Sequence, residues 1–465
     1  MKIKLQGINS QAFFNILSTV LTTGINVITL SIFTRLLGAE NYGKYSIYST
    51  WVSLFSSFMS LQLGSCLSVA RYDYKHEYNL YNKNNLLLGT FVSVFVILIG
   101  FLFKDGLSKI LGYPPYIVIL MFVNAFISFI TGYYSSILIY DKKTHINFII
   151  SLATSTASIL LSILFIKYIK FEELYIGRVI GSIIPGLITA IIIWIAIFIK
   201  GKGKLKIEHW KYSLAYGLPL VLHIISHDIL SQSNKLMLKY MGIGDTSVGL
   251  YSYYSNLVSV LSIIIVALNT SWVPFYFDDL NANDIPKIRK RTKDYMELVA
   301  VLTIGFILLS REVAKLFSSN DFWREIDIIP LLVLPIYIMY MYQFPVNFEY
   351  YNKKTIMISI GTICSGVTNI LCNFILIPKY GMYGSAISTI ISYIVLFVVH
   401  FVIANNIKEM KFHVKLSDYC IYFVLVMISI AIFYLFKESW IIRWLIGIFI
   451  GLYELIKIIK RKTIF

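Results

Sequence analysis

The sequence predicts an all-α polytopic membrane protein with about fourteen transmembrane helices. The first reason is a series of apolar runs of roughly 18–26 residues, where about 20 apolar residues of helix suffice to cross the hydrocarbon core. The second is composition, since 57% of the residues are hydrophobic and only 14% are charged, whereas soluble domains carry roughly 25% charged residues. Backbone polar groups in lipid must bond within their own segment, so the runs are predicted to be helices.

The helices follow one another along the whole chain, and short polar joints set their ends. They are predicted at about 11–34, 45–70, 86–103, 116–140, 146–166, 175–199, 213–238, 248–276, 295–317, 327–350, 355–376, 383–404, 418–436 and 440–459. No cleavable signal peptide is expected, because Lys2 and Lys4 precede a polar stretch and no small-residue cleavage site follows the first run.

The distribution of Lys and Arg predicts the topology. An even number of helices places both termini on one side, and the joints on that side carry about twice as many cations as the others. The positive-inside rule then puts both termini in the cytoplasm. The formal net charge of +17 is therefore attributed to orientation and not to nucleic-acid binding. The most cationic joints, 200–206 and 287–291, are expected to contact anionic membrane lipids.

Two stretches of the chain recur at a similar spacing. Residues 35–46 resemble residues 239–252, and residues 175–184 align with residues 382–391, at offsets of about 205 and 207. The repeat predicts two six-helix lobes, residues 1–205 and residues 206–410, followed by residues 411–465 as two additional helices. Because six is even, the two repeats would run parallel, and two lobes facing a central cavity are typical of transporters.

The joints that carry the repeat also resemble a known family. The sequence TRLLGAENYGKY at 34–45 is similar to the stretch after the first helix of Wzx-type polysaccharide flippases. Residues 233–252 resemble that family's junction between helices seven and eight, and IPKYGMYGSAI at 377–387 resembles its junction between helices eleven and twelve. Over essentially its whole length the chain thus resembles O-antigen and capsule flippases. Their superfamily exports drugs, oligosaccharidyl lipids and polysaccharides, and it includes drug/sodium antiporters and lipid II flippases.

The resemblance implies translocation of an undecaprenyl-diphosphate-linked oligosaccharide from the cytoplasmic to the outer leaflet by alternating access. It also implies a polysaccharide polymerase and a chain-length regulator as partners. It implies no enzymatic activity and no cofactor apart from a coupling H⁺ or Na⁺. Where the family often has an acidic residue followed by Arg in the seventh helix, this chain has Asn234 and Lys235, so the resemblance assigns no acid or base role there.

Two other functions remain as alternatives. The first is a membrane-embedded polysaccharide polymerase or ligase, a class that usually presents a large outer loop with catalytic residues. The outer joints here run to only about 6–16 residues and contain no catalytic constellation. The second alternative keeps the fold but changes the cargo to lipid II, or to a drug exported by cation antiport. More cations than acids lie within the spans, which favours an anionic cargo.

The seventh predicted helix contains the densest group of candidate site residues. His223 and His227 lie four residues apart and therefore share a helix face. Asp228 is adjacent to them, and Lys235 lies two turns beyond His227. One interpretation is a local Asp228–Lys235 pair beside two satisfied histidines. The other is a cavity-facing cluster that binds substrate, in which His or Asp protonation couples transport to a proton gradient.

Four further charged residues within or at the ends of the spans complete the candidate transport site. Arg178 is expected to snorkel to the interface or to contact the diphosphate or glycan, and the glycines beside it serve close helix packing. Arg35 and Arg71 end the first two helices as interface anchors, and Arg71 alternatively meets the incoming diphosphate. Glu349 either pairs with a cation of the other lobe as a gate or lies on a solvated face. No metal site is expected.

Overall fold

The computed structural model describes residues 10–408 and 410–461, apart from the side chains of residues 10–23, 219, 222, 223, 225–227, 229, 230, 355 and 461. These residues form helices joined by short turns, with no strand among them. The helices are α1 Ser10–Met59, α2 Leu67–Asp73, α3 Tyr78–Leu102, α4 Lys104–Leu111, α5 Pro115–Tyr140, α6 Thr144–Tyr168, α7 Leu174–Lys200, α8 Ile207–Tyr240, α9 Asp245–Asn281, α10 Ile285–Leu316, α11 Ile329–Tyr351, α12 Thr355–Asn406, α13 Leu416–Leu435 and α14 Trp440–Arg461.

The predicted all-α membrane fold is confirmed. Apart from the run at 45–70, each predicted apolar run coincides with a helix of the described chain to within a few residues, and eight of the helices have the length and apolar composition to cross a membrane. Two pairs of predicted helices are joined without a loop. α1 continues through a kink at Gly38, where φ is 66° and ψ is 174°, and α12 continues through a kink at Gly381, where φ is 55° and ψ is −131°.

One predicted helix is interrupted. The apolar run at 45–70 was expected to be continuous, but α1 ends at Met59 and α2 begins only at Leu67. The intervening residues Leu61 and Gln62 both adopt positive φ values, 44° and 52°. L-residues rarely adopt this left-handed conformation, and two of them in succession cannot continue a right-handed helix. The break turns the chain inside an otherwise apolar run.

The internal repeat is visible in the backbone. Gly38 and Gly242, about 204 residues apart, both have positive φ, 66° and 80°. The second pair of repeated stretches also occupies equivalent places, because residues 175–184 begin α7 and residues 382–391 begin the part of α12 after its kink. The repeated sequence thus marks repeated helix junctions.

The chain divides into two compact units, which we call unit 1 and unit 2. Unit 1 comprises Met1–Thr29 and Glu40–Ser233, and unit 2 comprises Leu30–Ala39 and Asn234–Phe465. In unit 1, α5 and α6 pack against α7, and α3 packs against α5. In unit 2, α11 packs against α12, and α10 contacts α9, α13 and α14. The predicted lobe boundaries at residues 205 and 410 stay a prediction.

Within unit 2, a buried cation anchors α14. Arg443 of α14 is fully buried and donates from Nη1 to the Leu308 carbonyl oxygen at 2.8 Å. It also pairs with Glu312, which additionally accepts from Trp444 Nε1 at 3.2 Å. Removing one partner of such a pair would leave an uncompensated buried charge. Arg443 therefore holds α14 against α10.

Candidate functional site

A hydroxyl-lined cavity lies at the helix break in unit 1. Its volume is about 210 Å³, well above the roughly 10–15 Å³ that one water molecule needs. The end of α1, the turn that follows it and the middle of α5 form the walls. The lining residues are Ser56, Ser57, Ser60, Gln62, Gly64, Ser128, Phe129, Gly132, Tyr133 and Ser136.

The turn after α1 is stabilised by its own side chains. Ser60 Oγ accepts a hydrogen bond from the Gln62 main-chain N–H at 3.2 Å, and Ser60 Oγ itself donates to the Ser57 carbonyl oxygen at 2.9 Å. Gly64 lets this turn approach α5, because a Cβ there would lie 2.9 Å from Ser136 Oγ. Strained backbone of this kind clusters at binding sites. Broken transmembrane helices likewise line transporter sites.

The side chains of the cavity suit a neutral, hydroxylated ligand. Five serine hydroxyls and one glutamine amide line it, and each of these groups both donates and accepts hydrogen bonds. Phe129 and Tyr133 add aromatic surface. No charged residue of the described chain belongs to the lining. The cavity therefore offers neutral hydrogen bonds and aromatic faces, and it does not offer a charge.

Asp228 is the predicted site residue that the structure connects to this cavity. Ser57, which lines the cavity, donates from Oγ to Asp228 Oδ2 at 2.5 Å. Hydrogen bonds to a carboxylate are short and strong, so Asp228 orients the hydroxyl of Ser57. The side chains of His223 and His227 lie outside the described residues, and their predicted roles stay predictions.

Arg178 is held against α6 and Tyr45. Its Nη1 donates to Ser162 Oγ at 3.1 Å, and its guanidinium lies 5.3 Å from the centre of the Tyr45 ring. The glycines beside it pack closely on α6, as predicted. A Cβ on Gly181 would lie 2.5 Å from the Cα of Ser162, so a larger residue would push the two helices apart.

The joint 200–212 contacts the residues that precede α3. Lys206 pairs with Glu77, and His209 Nε2 lies 3.2 Å from Glu77 Oε1. The hydrogen bond from Lys206 lowers the pKa of Glu77 below its ordinary value, against a smaller opposing effect of desolvation. Lys206 was expected to face lipid headgroups, yet it already has an acidic partner. Arg71, at the end of α2, has no ion pair among the described residues.

In unit 2, Arg35 forms a hydrogen bond at the C-terminal end of α10. Arg35 Nη2 donates to the carbonyl oxygen of Leu316, the last residue of α10, at 2.7 Å. The adjacent Thr34 hydroxyl lies 3.2 Å from the Phe317 carbonyl oxygen. A cation at a helix C-terminus satisfies carbonyls that the helix leaves unpaired. The motif around Arg35 thus joins α1 to α10, and the expected role of Arg35 as a membrane-interface anchor stays a prediction.

Asn234 belongs to an amide cluster that the sequence analysis missed. Asn234 Nδ2 donates to Tyr251 Oη at 3.0 Å and to Thr389 Oγ1 at 2.9 Å. Asn373 donates to Asn234 Oδ1 at 2.7 Å and to Asn369 Oδ1 at 3.0 Å. The signal was available, since Asn369 and Asn373 lie one helical turn apart within an apolar run. The neighbouring Lys235 has no ion pair in the described part of the chain.

Glu349 does not lie on a solvated face. It is fully buried, and its Oε1 lies 2.9 Å from Nδ1 of His400, which is fully buried as well. His400 was not among the predicted site residues, because a lone histidine in an apolar run carries no local signal of its partner. The described residues contain no group of three or more His, Cys, Asp or Glu side chains that could hold a metal ion.

Comparison with known proteins identifies one family and several related proteins that match this sequence. The family described as "Polysaccharide biosynthesis protein" matches residues 9–278. Among curated proteins, "Lsg locus putative protein 1" of Haemophilus influenzae is 24% identical over 370 residues, which are 76% of this chain and 88% of that protein.

Two solved structures show the same fold. The lipid II flippase MurJ in its inward closed conformation is similar with a TM-score of 0.71 at 18% identity, covering 97% of this chain and 99% of that one. An inward-facing multidrug resistance MATE family transporter of the MOP superfamily is similar with a TM-score of 0.63 at 15% identity, covering 88% of this chain and 98% of that one. At these identities the likeness concerns the fold alone.

Proposed function

Because this chain belongs to the polysaccharide biosynthesis protein family, we propose that it is a flippase for undecaprenyl-diphosphate-linked oligosaccharides. It would move these repeat units from the cytoplasmic to the outer leaflet by alternating access, for the synthesis of a surface polysaccharide such as O-antigen or capsule. The family and the flippase and transporter folds of its structural neighbours support a transporter of the same superfamily. The identity of the cargo, an undecaprenyl-diphosphate-linked oligosaccharide, is our own proposal.

The observation that carries this proposal is the hydroxyl-lined cavity of unit 1. A sugar presents hydroxyls that lose their hydrogen bonds to water inside a bilayer, and each unsatisfied polar group costs several kcal/mol, roughly 2–7. Neutral serine hydroxyls and an amide replace those bonds without binding charge. The cavity would therefore hold the glycan, and Asp228 would fix the donor direction of Ser57.

The anionic diphosphate would be bound by cations outside the cavity lining. Arg71 and Lys235 form no ion pair among the described residues, so both would be available to the diphosphate. Arg178, His223, His227 and Glu349 stay further proposals for the transport path. The protein would lie in a bacterial inner membrane with both termini in the cytoplasm, and would work beside a polysaccharide polymerase and a chain-length regulator.

Complementation tests the proposal. A strain without its own glycan flippase receives this chain, and both surface polysaccharide and accumulated lipid-linked repeat units are measured. Restored surface glycan with clearance of the intermediate supports the proposal, and Arg71→Ala and Lys235→Ala variants should restore less. If single repeat units reach the outer leaflet without the chain and only polymer length depends on it, the protein is a polymerase or ligase. If lipid II or a drug is moved and the repeat unit is not, the fold serves another cargo.

A further inference from the structure

A basic patch lies at the end of unit 2 where α10 and α13 begin. We define the patch as Arg289, near the start of α10, together with Lys411 and His413 of the joint that precedes α13. Arg289 and Lys411 are exposed, and His413 is half-buried. Partial burial and the nearby charges of Arg289 and Lys411 lower the pKa of His413. The three side chains therefore lie close to one another, although they come from two separate parts of the chain.

Apolar packing holds the patch in place. Residues 411–415 lie outside the helices, and their burial alternates. Phe412 and Val414 are only 6% and 5% exposed, whereas Lys411 is exposed. The ring of Phe412 packs on the ring of Phe348 at the end of α11, with 5.2 Å between their centres. Because the buried residues fix the joint, the cations of the patch stay together in spite of their mutual repulsion.

Neighbouring cations at this end of unit 2 have acidic partners, and the patch does not. Lys287 Nζ and Arg291 Nη1 lie 3.5 Å and 2.7 Å from the two carboxylate oxygens of Asp279. Lys293 Nζ lies 3.3 Å from Asp418 Oδ1. Within the described part of the chain, no ion pair includes a residue of the basic patch. The patch therefore concentrates positive charge that these residues leave uncompensated, and such a surface attracts an anion.

An exposed apolar face begins directly after the joint. Leu416, Cys420, Val424 and Ile428 recur at four-residue spacing along α13, and all four are exposed. Residues at this spacing share one face of a helix, and α13 has the length and apolar composition to cross a membrane. A ligand that uses both surfaces has an anionic group for the patch and hydrocarbon for the helix. A membrane phospholipid has this chemistry, whereas a free phosphate has only the anion.

We propose that the basic patch binds the headgroup of an anionic phospholipid, whose acyl chains lie along the exposed face of α13. The guanidinium and the ammonium group form charge-assisted hydrogen bonds with the phosphate oxygens, and the imidazole N–H of His413 donates a further one. The sequence predicted lipid contacts along the joint 287–291, but only Arg289 of that joint belongs to the patch. The site does not depend on the proposed flippase function.

Lipid retention by the purified full chain tests the site. The chain in neutral detergent receives phosphatidylglycerol, zwitterionic phosphatidylcholine or inorganic phosphate, and native mass spectrometry counts the lipids that stay bound. Arg289→Gln/Lys411→Gln should bind phosphatidylglycerol at this site roughly thirtyfold more weakly, because each cation at a membrane surface contributes about fivefold in affinity. The variant should therefore retain about one phosphatidylglycerol fewer than the wild type. Lys167→Gln/Lys170→Gln is the matched control, since it removes two exposed cations that form no ion pair in the described chain.

The unfolding temperature separates loss of the site from loss of the fold. Without lipid, Arg289→Gln/Lys411→Gln should unfold at or above the wild-type temperature, because it relieves repulsion between like charges. Phosphatidylglycerol should raise the unfolding temperature of the wild type more than that of this variant. If the double variant does not fold, Lys411→Gln serves in its place, with a loss of affinity of about fivefold.

Three results would overturn the proposal. The first is equal retention of phosphatidylglycerol by the wild type and Arg289→Gln/Lys411→Gln. The second is an equal loss in Lys167→Gln/Lys170→Gln, which would show that any exposed cations hold this lipid. The third is a rise of the wild-type unfolding temperature with inorganic phosphate that matches the rise with phosphatidylglycerol, which would show a site for free phosphate. The complementation assay tests the flippase proposal separately, so either proposal can fail without the other.

Discussion

Filling the cavity of unit 1 at Gly132 should block transport without disturbing the fold. Ser128, Gly132 and Ser136 line the cavity at four-residue spacing on one face of α5. A Cβ on Gly132 meets no atom within 4 Å, so a side chain there would enter open space. An apolar cavity of roughly 150 Å³ holds the six carbons of a benzene molecule, and Gly132→Leu adds four carbons. Gly132→Leu would therefore occupy a large part of the 210 Å³ cavity.

The size of the effect follows from the two hydroxyls that the leucine would cover. Each hydrogen bond contributes about 0.5–1.5 kcal/mol, so losing those of Ser128 and Ser136 would weaken glycan binding by about 2 kcal/mol. This free energy corresponds to roughly a thirtyfold loss of affinity. Surface polysaccharide should fall accordingly in the complementation assay, and the lipid-linked intermediate should accumulate.

The control for this prediction is Gly451→Leu. Gly451 of α14 is exposed, and a Cβ there also meets no atom within 4 Å. Both variants should reach the membrane in equal amounts, as measured by immunoblotting, and only Gly132→Leu should lose transport. Wild-type transport by Gly132→Leu at equal expression would refute the assignment of this cavity to the glycan.

Three further predictions follow from single residues. Asp228→Ala should reduce transport at least as much as Ser57→Ala, and the double variant should be no worse than Asp228→Ala alone, because both changes break the same hydrogen bond. Additive losses in the complementation assay would show separate roles. Gly38→Ala should lower the free energy of unfolding by about 1–3 kcal/mol, because φ is 66° there, whereas Gly24→Ala should not lower the unfolding temperature in detergent. Burial, aided by Arg289 and Lys411, lowers the pKa of His413, so its stabilising effect is present above about pH 6.5 and lost on acidification through the lowered value. His413→Gln should therefore flatten the fall of unfolding temperature below that pH, and an unchanged slope would contradict this.

Hydropathy was sufficient to predict the helices because each span needs its own apolar run. It could not predict how neighbouring helices are joined. The polar stretch after Thr34 reads as a loop, yet α1 passes through it with a single kink at Gly38. Conversely, the run at 45–70 reads as one helix, yet positive φ values at Leu61 and Gln62 interrupt it. Neither residue type favours that conformation, so the break depends on contacts that a local pattern does not contain.

The sequence predicted site residues only where a charged or ionisable side chain lay within or at the end of an apolar run. Asp228 stood out in an apolar helix, and the structure connects it to the cavity through Ser57. The serines of α5 gave a weaker signal, although Ser128, Gly132 and Ser136 recur at helical spacing. The Glu349–His400 pair joins residues 51 positions apart on two helices. No sequence period relates them, so only the packing of α11 on α12 shows that the two side chains meet.

Movement of the repeat unit itself is the most direct test of the flippase account. The purified chain is reconstituted into liposomes that carry a polyprenyl-diphosphate-linked oligosaccharide, and external glycosidase is used to measure which glycans are accessible over time. We expect the initially protected fraction to become accessible with the wild-type chain and much more slowly with Gly132→Leu. If the protected fraction stays constant with folded wild-type protein, with and without a proton gradient, the chain does not move this substrate and the account is wrong.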